Sequence, residues 1–311
     1  MGVPDFGGVG QSGPAPDEQH AERDDLPRQQ HLSAERVIET MGRHGAERVI
    51  VLTIPRILVL AAMGGAFVTA GALFSVLLGA QIEAEGPQRL VEGLAFSAGF
   101  FFVILSSAIL FTEANVTLPS TLLSSSSPLV RLVRFWALAW VGNLIGAVAI
   151  GGLIVLAQDY SPEVRGLLGE IVDGKLEWRQ DGGAGSWFRL VVSGMLANWL
   201  VGMAAFFAVM AQTVIGKYIP VFLAVTLFVA ANFQHSPANM GYFSLIQWMG
   251  DGPGWDVALG WNIVPAGIGN IIGGSLFVAL PFWFALTTIA KRERTGDQSA
   301  RGGRRSPPAA P

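Results

Sequence analysis

The chain has 311 residues, of which 51% are hydrophobic and only 14% are charged, and its formal net charge is −3. Soluble domains carry about 25% charged residues, so this composition argues against a water-soluble enzyme of two domains. The lack of a global basic field argues against nucleic-acid binding, and the lack of cysteine excludes disulfides, thiolate catalysis and cysteine metal sites.

The N-terminal region contains two different segments. Residues 1–34 are rich in Gly, Pro, Gln and charged side chains, and such a segment cannot bury enough surface to offset its ordering entropy. We therefore expect a disordered tail there. Residues 35–54 place apolar side chains near helical spacing among charged ones, which predicts an amphipathic helix on the membrane surface. An extension of the first membrane span fits the same pattern equally well.

Six long apolar runs follow and define a transmembrane domain over residues 55–290. A helix that crosses the bilayer needs about 20 apolar residues, and each run is long enough. The runs cover roughly residues 55–81, 90–111, 132–157, 188–212, 215–248 and 262–290. The predicted fold class is therefore an all-α membrane protein with six transmembrane helices.

The loops between these runs alternate in charge. Basic side chains such as Arg131, Lys217 and Lys291 lie in the second and fourth loops and after the last run, whereas the intervening loops are acidic. By the positive-inside rule, this pattern places both termini in the cytoplasm. Residues 291–311 are then a disordered, basic cytoplasmic tail.

The two halves of the domain repeat a pattern. The segment Gly142–Gly146 in the third run matches Gly269–Gly273 in the sixth, 127 positions later. The second run is interrupted at Phe111–Pro119 and the fifth at Phe233–Asn239. Each half has three spans. Because an odd number of crossings ends on the opposite side of the membrane, the second half is inverted relative to the first. Inverted halves with paired broken helices are typical of transporters and channels that bind their substrate at the breaks.

One histidine of the four lies inside an apolar run. His235 occupies the second break, where an ionisable group is expected to be functional. An imidazole can donate a hydrogen bond or a proton to an anion in transit. Thr112 offers a hydroxyl donor at the other break. Asn198 lies well inside the fourth run, where it is either a pore-lining donor or a contact between helices.

Enzyme and metal sites are not indicated. The sequence has no cluster of His, Asp and Glu with metal-ligand spacing, and the serine run 124–127 has no histidine or lysine nearby. The Gly-rich segment 182–185 lacks the lysine of a phosphate-binding loop. We therefore expect a protein that is not an enzyme and that needs no cofactor or metal.

Three motifs resemble those of the formate/nitrite transporter family: Phe111-Thr112 with Asn115, the segment 234–240, and the segment 269–274. The resemblance covers roughly residues 35–290. It implies an aquaporin-like inverted 3+3 repeat with broken second and fifth helices. It also implies a homopentamer in the bacterial inner membrane, with one pore per protomer, that moves small monovalent anions such as formate, nitrite or hydrosulfide, often with protons.

The resemblance also assigns roles to individual residues. It makes His235 the central pore histidine, Thr112 its hydroxyl partner and Asn198 the family's buried asparagine. A proton from the histidine would let the anion cross as the neutral acid. The remaining matched positions form two constrictions, the outer one with Phe96, Phe100 and Phe228 and the inner one with Phe111 and Val201.

The chain departs from the family at three charged positions. Gln234 and Ile109 stand where the family has glutamates, and residues 181–188, with Gly182 near the matching place, hold no anion-attracting lysine. Losing one lysine with an adjacent glutamate is charge-neutral, so the changes could be a coupled replacement. The departures weaken the expectation that this pore uses the family's electrostatic funnel. Two other functions therefore stay open: a neutral-solute pore for water or a polyol, and a non-conducting membrane sensor or scaffold that acts through its tails.

Overall fold

A computed structural model describes residues 31–124 and 128–286, and these ranges are almost entirely helical. The predicted all-α class is confirmed. In chain order the helices are α1 (Ala34–Val51), α2 (Ile54–Gly79), α3 (Glu85–Ser106), α4 (Phe111–Ser124), α5 (Leu129–Ala157), α6 (Pro162–Lys175), α7 (Gly183–Met210), α8 (Val214–Ala230), α9 (Ser236–Trp248) and α10 (Trp255–Leu286). The predicted tail 291–311 and most of the tail 1–34 lie outside the described residues.

Five of these helices, α2, α3, α5, α7 and α10, are long and apolar enough to cross a membrane. α8 is apolar but has only 17 residues. Six spans were predicted, and the difference arises at the fifth run, which the structure divides into α8 and α9. A second division separates α3 from α4.

The repeated glycines bring two pairs of helices into backbone contact. A Cβ atom on Gly146 of α5 would overlap the Ala62 carbonyl of α2, and one on Gly273 of α10 would overlap the Met195 carbonyl of α7. Small residues at such crossings let helices approach closely within a membrane. The two glycine motifs therefore have the same packing role, once in each half of the sequence.

The two helix breaks lie earlier in the chain than predicted. The first break covers residues 107–110, and the predicted interruption at Phe111–Pro119 is wrong, because that stretch forms most of α4. Pro119 costs α4 one internal hydrogen bond without ending the helix. The second break covers residues 231–235. The predicted interruption ran from Phe233 to Asn239, so the two overlap only at residues 233–235. Ser107 and Asn232 both adopt left-handed backbone conformations, with φ of 59° and 53°.

α1 is a separate helix rather than an extension of the first span, because Leu52 leaves the helix in an extended conformation. It packs closely on α4. A Cβ atom on Gly45 would overlap the Thr121 hydroxyl, and that hydroxyl donates a hydrogen bond of 2.9 Å to the Gly42 carbonyl. The apolar face of α1 is therefore covered by protein over much of its length.

The acidic segment 158–187, expected to be a loop, contains the helix α6. Ser161 caps it by accepting a hydrogen bond from the Val164 amide, and Pro162 occupies its first turn. The apolar residues of α6, including Leu168 and Val172, join the large core. α6 is thereby fixed against the membrane domain, and its last residue is Lys175.

Candidate pore site

The two breaks meet at a single side-chain hydrogen bond. His235 Nε2 lies 2.8 Å from Thr112 Oγ1, and both side chains are fully buried. His235 immediately precedes α9, and Thr112 is the second residue of α4. The structure therefore brings together the histidine and the hydroxyl that the sequence singled out, although they are 123 positions apart.

The partners of His235 determine its tautomer. Its Nδ1 accepts a hydrogen bond of 3.1 Å from the Ala238 amide and so caps the N-terminus of α9. A neutral imidazole has one donor and one acceptor nitrogen, so Nε2 carries the hydrogen and donates it to Thr112. A second proton on Nδ1 would oppose the amide N–H of Ala238. The ring is therefore held as a neutral hydrogen-bond donor.

The first break is held together by Asn143 of α5. Its Oδ1 accepts a hydrogen bond of 2.8 Å from the Phe111 amide at the start of α4. Its Nδ2 donates to the carbonyls of Ala61, at 2.7 Å, and Ile109, at 2.9 Å. A helix break away from water must satisfy its freed backbone groups internally, and this one side chain satisfies one carbonyl inside the break and the first amide of α4.

Asn270 of α10 does the same at the second break. Its Oδ1 accepts from the Ser236 amide at 2.8 Å, and its Nδ2 donates to the carbonyls of Gly194, at 2.8 Å, and Gln234, at 3.0 Å. The sequence interpretation treated the repeated Gly-Asn motif as packing and missed this role. The signal was present, because the motif repeats at 127 positions and the two breaks repeat at nearly the same spacing.

Asn198 lies where the two halves meet. Its Nδ2 donates to the Asn270 carbonyl at 2.6 Å and to the Thr112 carbonyl at 3.3 Å. Both hydrogens of the amide are used in this way, while its Oδ1 has no hydrogen-bond partner among the described residues. Of its two predicted roles, this geometry favours the contact between helices.

A neutral amide network lies behind His235. Gln234 Oε1 accepts hydrogen bonds of 2.9 Å from both Asn239 Nδ2 and Asn262 Nδ2. Asn239 Nδ2 also lies 2.6 Å from Asn262 Oδ1. Asn262 belongs to a π-helical turn of α10, a feature often found at functional sites. Gln234 therefore places a neutral amide oxygen, rather than a negatively charged carboxylate, next to His235.

Two of the predicted constriction residues cover His235. The rings of Phe96 and Phe228 meet edge to face, with centroids 5.8 Å apart, and the Phe228 ring lies 5.1 Å from the imidazole. Tyr242 stacks on Phe96, with ring centroids 6.0 Å apart. These rings form an apolar layer beside the polar pair of His235 and Thr112.

The constriction roles expected for Phe100, Phe111 and Val201 stay predictions. Phe100 lies one helical turn further along α3 than Phe96, in the same core cluster, and it also lines a cavity. Phe111 and Val201 pack in two different core clusters.

Two cavities approach the buried pair from opposite ends of α3. The α6 cavity, of about 280 Å³, is lined by Glu92 and Lys175 and by Phe228 at its inner end. The α1 cavity, of about 780 Å³, is lined by Phe100 and by basic side chains of α1 such as Arg48. The rise along α3 from Glu92 to Phe100 is about 12 Å. The aromatic layer lies between the two cavities.

The sequence profile of the family described as formate/nitrite transporter matches residues 35–284. The chain belongs to the formate/nitrite transporter family. This assignment confirms the resemblance drawn from the three motifs and makes the protein an integral membrane transport protein rather than an enzyme.

Named relatives come from several lineages. The chain is 29% identical over 244 residues to a probable formate transporter of Methanothermobacter thermautotrophicus, a match that covers 74% of this chain and 88% of the relative. It is 29% identical over 258 residues to the formate channel BtFdhC of Bacillus thuringiensis, covering 80% and 93%. It is 28% identical over 235 residues to the nitrite transporter NirC of Escherichia coli (strain K12), covering 72% and 81%.

Solved structures share the fold of this transporter. A chain described as an FNT family ion channel aligns with a TM-score of 0.70 at 23% identity and covers 80% of this chain and 98% of its own length. A pentameric formate channel with formate bound aligns with a TM-score of 0.61 at 23% identity, covering 74% and 96%.

Proposed function

We propose that this transporter moves a small monovalent anion, with formate and nitrite as first candidates, together with a proton. The observation that carries the proposal is the fully buried hydrogen bond between His235 and Thr112, at the meeting point of the two breaks. The names of the relatives, which include formate and nitrite transporters, support the choice of substrate.

The mechanism starts with dehydration at the aromatic layer of Phe96 and Phe228. Beyond it, the Nε2–H group of His235 and the hydroxyl of Thr112 are the available donors. A bare charge is costly in a low-dielectric passage. The ring of His235 therefore first takes up a proton from the external water, at the expense of the bond that its Nδ1 accepts from the Ala238 amide. The resulting imidazolium passes its Nε2 proton to the anion, which continues as the neutral acid, and a neutral ring remains. One anion and one proton cross together.

The architecture proposed with this function has six crossings. α3 with α4, and α8 with α9, each form one broken span, so that residues 55–290 make an inverted 3+3 repeat. The left-handed residues Ser107 and Asn232, 125 positions apart at the two breaks, support this arrangement. Both termini then lie in the cytoplasm, the α1 cavity opens inward and the α6 cavity opens outward. We also propose a homopentamer in the inner membrane, as in the pentameric formate channel of similar fold.

The test is uptake of radiolabelled formate and nitrite into proteoliposomes under a proton gradient. We expect His235→Asn and His235→Phe to abolish proton-coupled uptake, because neither side chain can pass on a proton. The matched control is His31→Asn, since His31 is exposed and far from the breaks in sequence. Proton-coupled uptake that is unchanged in both His235 variants would contradict the proposal.

A neutral-solute pore is the second candidate, and the amide network around Gln234 favours it, because this network brings no charge to the pore. Stopped-flow swelling of proteoliposomes distinguishes the two functions. Swelling with water or a polyol, without any formate or nitrite flux, would support this candidate.

The sensor function depends on the terminal tails, and flux that persists after both are deleted would argue against it.

A further inference from the structure

The α6 cavity contains a buried carboxylate that the mechanism has not yet used. Glu92 of α3 is only 9% exposed and lines this cavity. Among the described residues, no cationic side chain lies within 4.0 Å of its carboxylate. Arg89, one helical turn away, is engaged by Glu85 at 2.7 Å. A buried carboxylate without an ion pair is costly as an anion, and the uptake of a proton removes that cost.

The side chain of Glu92 is held between two helices. A Cβ atom on Gly79 of α2 would lie 2.9 Å from Cγ and 3.1 Å from Oε1 of Glu92. The same Cβ atom would lie 3.0 Å from Cδ2 of Leu167 on α6. The absence of a side chain at Gly79 therefore leaves the space that the carboxylate occupies, and this space borders the cavity.

Glu92 lies close to the aromatic layer that covers the pore histidine. Phe96 follows it by four residues on the same face of α3, at a rise of about 6 Å. Phe228, which meets Phe96 edge to face, also lines the α6 cavity, and its ring lies 5.1 Å from the imidazole of His235. The carboxylate is therefore one helical turn away from this layer, on the side of the α6 cavity.

The two ring nitrogens of His235 differ in their relation to this cavity. Nδ1 accepts a hydrogen bond from the amide of Ala238, a residue of the cavity wall. Nε2 is bonded to Thr112, which is not part of that wall. At about 30 Å³ per water molecule, the cavity of about 280 Å³ has room for several waters between Glu92 and the ring. A proton that arrives from the cavity therefore meets Nδ1 first.

We propose that Glu92 is the proton-loading residue of this transporter, which takes a proton from the external water and passes it through cavity water to His235. This step rests on the proposed function and names the group that supplies its proton. The carboxyl O–H bond breaks and an N–H bond forms at Nδ1, while the Nε2 proton goes to the anion. External water protonates the carboxylate again, and the neutral ring returns to its resting tautomer by proton exchange with water.

A purely electrostatic role is the competing explanation, because a carboxylate in the cavity repels an incoming anion. Removal of the charge would then speed uptake, whereas loss of a proton-loading group slows it. The other charged or titratable groups of the wall, from α3, α6 and α9, are Glu85, Arg89, Glu170, Lys175 and Tyr242. In the part of the chain that the structure describes, α2 and α8 add no titratable side chain to this wall.

The experiment is uptake of radiolabelled formate by proteoliposomes, measured as the maximum rate against external pH. We expect Glu92→Gln to lower this rate about tenfold or more at about pH 7.5, because a positioned acid commonly contributes at least this much to a proton transfer. The loss should shrink as the external pH falls, since hydronium then supplies the proton directly. Deuterated water should slow the variant more than the wild type, because proton supply limits its rate.

Two variants serve as matched controls. Glu170→Gln removes the same charge from an exposed position of the same wall and should leave the maximum rate unchanged. Glu92→Asp keeps the acid and loses one methylene group, so it should keep most of the wild-type rate. If Glu92→Gln fails to fold, judged by size-exclusion chromatography, Glu92→Ala takes its place with the same expected results.

The possible failures are distinguishable. A wild type that carries formate with a proton, together with an unchanged or higher rate in Glu92→Gln, would overturn the proton-loading role and leave the proposed function intact. A loss that is the same at every external pH, or an equal loss in Glu170→Gln, would overturn that role as well. A wild type without flux of formate, nitrite or hydrosulfide would overturn the proposed function itself.

Discussion

The two breaks have the same scaffold but different chemistry. Each contains one left-handed residue, and each is held by an asparagine that accepts from the first amide of the following helix and donates to a carbonyl of the break. Beyond that scaffold, the second break carries His235, a neutral amide network and a link to Lys175. The first break carries Thr112. Equivalent asparagine contacts therefore hold both breaks, whereas the side chains available for chemistry differ between them.

The largest loss of stability is expected for variants of the two asparagines that hold the breaks in the same way. Asn143→Ala and Asn270→Ala each remove the side-chain partner of one buried amide and one buried carbonyl at a break, at a cost of about 1–3 kcal/mol per group. We expect both variants to lose several kcal/mol of stability, or to fail to fold. The measurement is thermal unfolding in detergent, with the exposed Gln158→Ala as control. A small change in one variant and a large change in the other would show that the scaffold is not shared.

A smaller difference in stability is expected between variants of Asn115 and Asn239, which are bound differently at the two breaks. Asn115 and Asn239 are 124 positions apart, yet both polar atoms of the Asn115 amide lack a hydrogen-bond partner among the described residues, whereas Asn239 Nδ2 has two acceptors. Asn239→Ala should therefore destabilise the protein by about 1–3 kcal/mol and Asn115→Ala by much less. The same unfolding assay compares them, and equal losses would remove this difference between the breaks.

The helical membrane-protein class could be predicted from the sequence, because long apolar runs are a direct signal of membrane crossing. The pairing of His235 with Thr112 also followed from the motifs. The position of the first break did not, because Asn115 and Pro119 are weak helix formers that α4 nevertheless accommodates. The orientation, the inverted repeat and the constriction residues stay predictions.

The burial of Lys175 was the feature least accessible to sequence analysis. Lys175 lies in an acidic segment that gave no sign of a buried charged side chain. Its burial depends on the packing of α6 against the domain and on the tie from Asn262, which lies 87 positions away. Long-range contacts of this kind appear only once the fold is assembled.

We propose that the anion crosses with a proton donated at the pair of His235 and Thr112. This is tested by formate uptake into proteoliposomes in which the pH gradient and the membrane potential are set independently. We expect uptake to rise with external acidity, to acidify the lumen and to be insensitive to the membrane potential. Uptake that follows the membrane potential and ignores the pH gradient would contradict it.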